Sequence, residues 1–313
     1  MPKPRHIELG SGESIPILYE DRSVIAIDKP AGWMLVPFSW QKTDRNLQAA
    51  ISSSIGAGHF WARSRNLKYL RHIHRLDADT TGILLLAKSQ GALDTFSDLF
   101  ESRRMEKAYL AVVEGNPKQD RWTCHLKLAP DPDQIGRMKV EARRGKEAET
   151  HFEVLQRAAR RTLIEARPVT GRTHQIRIHL AQSGCPIVGD PLYGQSRPSH
   201  GSGDGSSPQS PLAHSGTGRP GPYTMAKTAS GDTQPCEKEW PLGLRAVVLG
   251  YVDPFTHRRI EIRASVDKFV EEFGFKPIAN MISSAPAEGE FTNMKRHRRC
   301  SPKTCGNAKI SMN

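Results

Sequence analysis

Five short runs, KAYLAVVEG, EAETHFEVL, TLIEARPV, LRAVVLGYV and RRIEIRASV, are β-branched or alternate apolar with polar residues, and only three or four helical patterns are interspersed among them. Side chains of a strand point alternately to two faces, so runs of this kind predict strands with one face in a core. The strands do not alternate regularly with crossover helices. A doubly wound parallel sheet is therefore a poorer fit than an α+β domain on a large mixed, mostly antiparallel sheet flanked by a few helices. At 313 residues the chain is long enough to bury a sizeable core.

Along the chain, IPILYEDRSVIAIDKPAG reads as two strands around a turn at Glu20, Asp21 and Arg22, stopped by Pro30 and Gly32. Thr43 and Asp44 read as the cap of a helix whose apolar residues Leu47, Ile51 and Ile55 recur every four, with Gly56 as its end. From Gln90 to Arg103, Leu93, Phe96, Leu99 and Phe100 share one helical face. Between residues 195 and 239 the pattern breaks: 8 Ser, 7 Gly and 6 Pro fill 21 of 45 positions, which predicts a disordered insertion. The fold resumes at Trp240, and DKFVEEFGF closes it with a short helix presenting Phe269 and Phe273. After Met281 six Lys/Arg face two acids without hydrophobic periodicity. The expected division is an extension over 1–14, one folded domain over 15–278 interrupted at 195–239, and a basic disordered tail over 279–313.

Charge narrows the partners. With 45 Lys+Arg against 33 Asp+Glu the formal net charge is +12, which favours a polyanion such as nucleic acid. The N-terminal segment has no apolar run of the secretory kind, and no stretch approaches the roughly 18 apolar residues of a membrane span. Five scattered cysteines, an odd number, argue against a disulfide framework and for a reducing cytoplasm.

Two runs carry chemistry. HRLDADTTGILLLAK, from His74 to Lys88, places a carboxylate, Asp77, in a sharp polar turn at the edge of a buried strand, although taken alone Asp77 and Asp79 also suit plain turn formation. PVTGRTHQIRIHLAQSGCPIVGDPLYG, from Pro168 to Gly194, predicts a helix from about Thr173 to Ser183 with Gly184 as its stop. Arg172 then lies at the helix entrance, and His174, Arg177 and His179 give the helix a basic character suited to phosphates. Metal is a poor reading, because the spacing of His174 and His179 does not stack two imidazoles on one face. Cys300, Cys305 and His297 lack the second half of a four-ligand site.

Taken together and in order after DKPAG, the runs HRLDADTTGILLLAK, EKAYLAVVEG and GRTHQIRIHLAQSGCPIVGDPLYG resemble the RluA family of RNA pseudouridine synthases, from about Ile15 to Phe275. The resemblance implies an isomerase that breaks the glycosidic bond of uridine, turns the uracil over and rejoins it through carbon 5, with no cofactor. It assigns the essential carboxylate to Asp77, as nucleophile at the sugar or as base beside it. An opposing cation is needed to keep that carboxylate ionised in a closed pocket, and the resemblance is read as placing it at Arg172. Tyr109 matches the tyrosine that stacks on the uracil and helps to remove the proton from carbon 5, and Arg75 the arginine that fills the stack when the target nucleotide flips out. Ile176 matches the apolar pocket wall. His74, Thr173, His174 and Arg177 are expected to bind substrate. No small RNA-binding domain of the kind that begins many relatives is expected before the first strand.

The expected protein is thus a cytoplasmic, monomeric synthase acting on rRNA or tRNA, with no metal, no cofactor and no membrane partner. The rival readings are a noncatalytic RNA-binding protein on the same fold and a nucleoside hydrolase.

Overall fold

The computed structural model describes residues 2–35, 45–194 and 240–278. The expected insertion at 195–239, the tail over 279–313 and the proposed caps Thr43 and Asp44 lie outside the described residues. The chain runs β1 (His6–Glu8), β2 (Ser14–Glu20), β3 (Val24–Lys29), α1 (Leu47–Gly56), α2 (Phe60–Arg63), β4 (Arg71–His72), β5 (Thr81–Ala87) and α3 (Gln90–Glu101). It continues through β6 (Glu106–Glu114), β7 (Arg121–Pro130), β8 (Met138–Val140), β9 (Lys146–Arg157), β10 (Arg161–Pro168), α4 (Gln175–Gln182), β11 (Leu244–Val252), β12 (Arg259–Arg263) and α5 (Asp267–Glu272).

The strands form one mixed sheet in the order β1-β2-β3-β5-β11-β6-β10-β9-β7-β8, with β4 on β5 and β12 on β11. Among the described residues only β5 and β11 pair in parallel. They come unusually close: a Cβ on Gly82, whose φ is +104°, would sit 2.1 Å from the Ala246 carbonyl oxygen, so only glycine fits there. Helices α1 to α3 pack on the β1–β5 part of the sheet around Trp61, Leu47 and Phe96. Val270, Phe273 and Phe275 cover one face of β6, β10 and β11, while Ile176 and Leu180 of α4 cover the other.

Three sequence expectations shift. The stretch over 2–14 is part of the packed fold, because β1 pairs with β2 and Ile7 and the following Leu9 are buried; at three residues β1 is too short for a visible alternation. The cap of α1 is Asn46, whose side chain accepts from the Ala49 N–H. Helix α4 begins at Gln175, because His174 adopts the left-handed conformation (φ 54°) and breaks the helical turn before it. Gly184, at φ 78°, ends the helix region as expected. Across the insertion the flanks meet, with the Gly243 N–H donating to the Val188 carbonyl at 2.8 Å.

Candidate active site

A cavity of about 490 Å³ opens where the β4–β5 loop, β6 and the start of α4 converge. Asp77 lies in the β4–β5 loop. The loop is tied down from below by Lys29, a fully buried residue at the end of β3 whose ammonium donates to the carbonyls of Pro30 (3.0 Å), Ala78 (2.6 Å) and Thr80 (3.1 Å). Burial pushes that ammonium down to about 8. The segment that follows Asp77 is thereby fixed by backbone bonds at Ala78 and Thr80, while Asp77 itself lines the cavity.

The cation at Asp77 is Arg177. Its Nη1 donates to Asp77 Oδ2 at 3.1 Å, while Nε and Nη2 grip the two oxygens of Asp190 at 2.8 and 2.7 Å. The second carboxylate is fully buried; burial acts to raise its pKa, but the bond and charge of Arg177, with the N–H groups of Leu192 and Tyr193 that it also accepts, hold it below the ordinary carboxylate value. Arg177 in turn is held firmly charged. This corrects the expectation for Arg172. That side chain lines the cavity but turns toward β9, its Nε donating to the Glu147 carbonyl at 3.0 Å. The physical reason is the left-handed His174. It redirects the chain between the two arginines, so the residue at the entrance points away and the one inside the helix points in.

The remaining expected residues divide into two groups. Tyr109 on β6 projects into the cavity, flanked across both ladders by the small partners Ala166 and Ala246. Burial, and then the charge of Asp77, push its phenol far above the ordinary value, so the neutral form is the one present. Arg75 is exposed at the mouth and donates to Thr173 Oγ1 at 3.3 Å, bridging the two loops. Ile176 forms part of the wall and of the core behind it. His174 is close to the carboxylate, with Nε2 3.8 Å from Asp77 Oδ2 and Nδ1 2.9 Å from the Tyr193 hydroxyl. Its imidazole is pushed toward the neutral form by burial.

His74 lines the cavity and also braces its wall. Its Nε2 accepts the Leu85 N–H at 3.1 Å and its ring stacks on Phe100 at 4.5 Å, so it braces the loop against β5 and α3. With Nε2 accepting, its proton sits on Nδ1. Burial lowers its pKa to about 3, and the ring stays neutral. His179 faces the interior, fully buried, and does not line the cavity.

Two functional supports were not legible in the sequence. Asp190 carries the GDP turn and could have been sought as the second partner of a buried arginine. Gln175 reads as an ordinary helical residue. Yet its side chain accepts from the Arg172 N–H and the Thr170 hydroxyl and donates to Glu149 and Thr150, anchoring the loop before α4.

Comparison with known proteins places the chain in a family. A family model described as RNA pseudouridylate synthase matches residues 23–182. Ribosomal large subunit pseudouridine synthase C of Salmonella typhi is 34% identical over 198 residues, 60% of this chain and 56% of that protein. Ribosomal large subunit pseudouridine synthase D of Nitrosomonas europaea is 35% identical over 194 residues, 61% and 54% of the two chains. The chain thus spans about half the length of the curated relatives it matches. Among solved structures, human RNA pseudouridylate synthase domain containing 4 superposes with a TM-score of 0.57 at 22% identity, over 82% of this chain and 90% of that one. The human domain containing 1 gives 0.55 at 23%, over 83% and 87%. At those identities they speak for the fold alone.

Proposed function

The chain belongs to the RNA pseudouridylate synthase family, and on that footing we propose that it isomerises a uridine of structured RNA to pseudouridine with Asp77 as the carboxylate that begins the reaction. The bond from the sugar C1′ to N1 breaks, a bond from C1′ to C5 forms, N1 gains a proton and C5 loses one. The balance calls for no oxidant, metal or nucleotide.

The observation that supports the reading is the Asp77–Arg177 pair at 3.1 Å in a cavity that also holds Tyr109. A buried guanidinium, itself fixed by Asp190, stands opposite this carboxylate with one donor. The same pair speaks against a noncatalytic RNA-binding protein, which has no need of a carboxylate set against a clamped arginine under a cavity. Asp77 then acts as nucleophile at C1′ or as base at the adjacent carbon. Tyr109 presents a ring to the uracil, and its phenol resists ionisation while Asp77 is charged beside it. A base role for Tyr109 toward C5 therefore belongs after Asp77 has spent its charge on the sugar.

The names of the relatives in Salmonella and Nitrosomonas refer to the large ribosomal subunit, which makes rRNA the first substrate to test, ahead of tRNA. We take the protein to be a cytoplasmic monomer, in keeping with five scattered cysteines, an odd number that suits no disulfide framework. No helix among the described residues is long and apolar enough to cross a membrane. The test is to map pseudouridines in total RNA from cells with and without this gene. Loss at one or a few positions names the substrate, and an unchanged map overturns the reading.

A further inference from the structure

Lys107 stands apart among the cations of the cavity. Arg177 is bonded to two carboxylates, Arg172 to a carbonyl and Arg75 to a hydroxyl. Lys107, on β6 two residues before Tyr109, is only partly exposed and has no hydrogen-bond or ion-pair partner for its ammonium among the described residues. Burial, and after it the charge of Arg103, lowers its pKa to about 8. A desolvated ammonium without a counterion costs free energy that an anionic ligand recovers.

The surroundings say where that ligand continues. On the far side of Lys107 from Asp77 lies a second recess of about 230 Å³. Met105, Ala108 and Val248 give it an apolar lining, His151 and Arg167 a polar one, and the Glu106 carboxylate that also borders it is taken up by the Arg259 guanidinium. Four residues, Arg103, Lys107, Pro168 and Val169, line both cavities, so Lys107 forms the saddle between them. The recess is large enough for one nucleobase. Asp77 repels a phosphate at its own end of the large cavity, whereas the saddle attracts one.

We propose that this saddle and recess form a subsite for the nucleotide adjoining the target uridine, Lys107 taking the phosphodiester between the two and the recess taking the neighbour's base. The inference rests on the function proposed above and adds a positioning residue and a second specificity pocket to it. Lys107 touches neither C1′ nor C5; it sets the register of the strand so that one uridine, and not the next, reaches Asp77.

The test is a cycle of protein and substrate changes on a short synthetic RNA spanning the mapped uridine. In the wild type, a neutral methylphosphonate in place of one of the two flanking phosphodiesters should raise Kd about fivefold or more, the worth of one phosphate contact. Lys107→Met should raise Kd for the unmodified RNA by a similar factor, leave kcat at saturating RNA within about threefold, and show no further loss with the methylphosphonate. Lys107→Arg should bind nearly as the wild type. Removing the neighbour's base should weaken the wild type but not His151→Trp, which fills the recess from its rim. Multiplicative losses for Lys107→Met and the methylphosphonate overturn the proposal, as does a fall in kcat without a change in Kd. The wild-type arm decides the phosphate contact even if a variant folds poorly. Absence of any mapped uridine removes the underlying function, an outcome distinct from either.

Discussion

Arg177 reaches Asp77 with one nitrogen while its other two nitrogens are clamped by Asp190, so the carboxylate at the centre of the site faces a cation that is itself fixed from behind. A guanidinium so divided cannot swing away when substrate arrives. Its fork geometry also makes lysine a poor replacement.

Replacing Asp77 by Asn removes the charge and keeps the shape. Tritium release from RNA labelled at uracil carbon 5 should fall at least a thousandfold, while RNA affinity measured by filter binding stays within a few-fold. Activity within tenfold of the wild type would reject Asp77 as the reacting group.

The two arginines should separate cleanly. Arg177→Met leaves Asp190 buried without its partner, so it should lose activity and about 3 kcal/mol of stability or more, the usual result of breaking a buried pair from one side. Arg172→Met gives up one bond to a carbonyl and should keep kcat within about tenfold, with its effect in KM. Parallel urea melts and steady-state kinetics compare them; equal kcat losses would return Arg172 to the catalytic pair.

Asp190 makes stability depend on acid. Its folded pKa lies below the ordinary 3.8, so the stabilisation it gives is complete above that pH and is lost as pH falls through the lower folded value. Asp190→Asn should therefore be less stable than the wild type at neutral pH, and the gap should narrow steadily below about pH 3.8 in denaturant titrations. A gap independent of pH would mean that packing, not charge, is what the substitution removes.

How much of this was readable from the chain depends on range. The β2–β3 hairpin, the amphipathic face of α3, the stop at Gly184 and Tyr109 on its strand all follow from local period and turn chemistry, and each stands as read. The choice between Arg172 and Arg177 was not local. It turns on a single left-handed residue, His174, which no spacing rule predicts for a histidine, and on the docking of α4 against a loop 100 residues away. Lys29 was hidden for the same reason: DKPAG marks the end of a strand, but the carbonyls its lysine serves are 49 and 51 residues on.

Lys29→Met keeps the stem and removes the donors. Three carbonyls then lose their partner in the interior, at a cost of roughly 1–3 kcal/mol for each that stays dry. Thermal melting should fall by several degrees, and activity should drop with it because the loop holding Asp77 loses its floor. An unchanged melting temperature would show that Lys29 is incidental to the loop.

Charge separates the two polar segments. Residues 195–239 contain four basic and four acidic side chains, and residues 281–313 six basic against two acidic. Truncation after Ala279 should flatten the slope of log affinity against log salt, while a short Gly/Ser link in place of 195–239 should leave it unchanged. The meeting of Val188 with Gly243 across the insertion makes the second variant sterically simple. Identical slopes for full-length and truncated proteins would clear the tail of any contact with RNA.

The place of β11 between β5 and β6 has a consequence for how the protein is made. The strand that follows Asp77 and the strand that carries Tyr109 are not paired with each other; each is hydrogen-bonded to β11, a segment synthesised roughly 160 residues after β5 and so, at ordinary elongation rates, some ten to thirty seconds later. A ribosome-bound chain that has released everything up to Gly194 already owns Asp77, Tyr109, Arg177 and Asp190 but not the ruler that spaces them. Catalytic competence therefore waits for β11, and a chain terminated before Leu244 is silent toward RNA chemistry although it keeps Asp77, Tyr109 and Arg177.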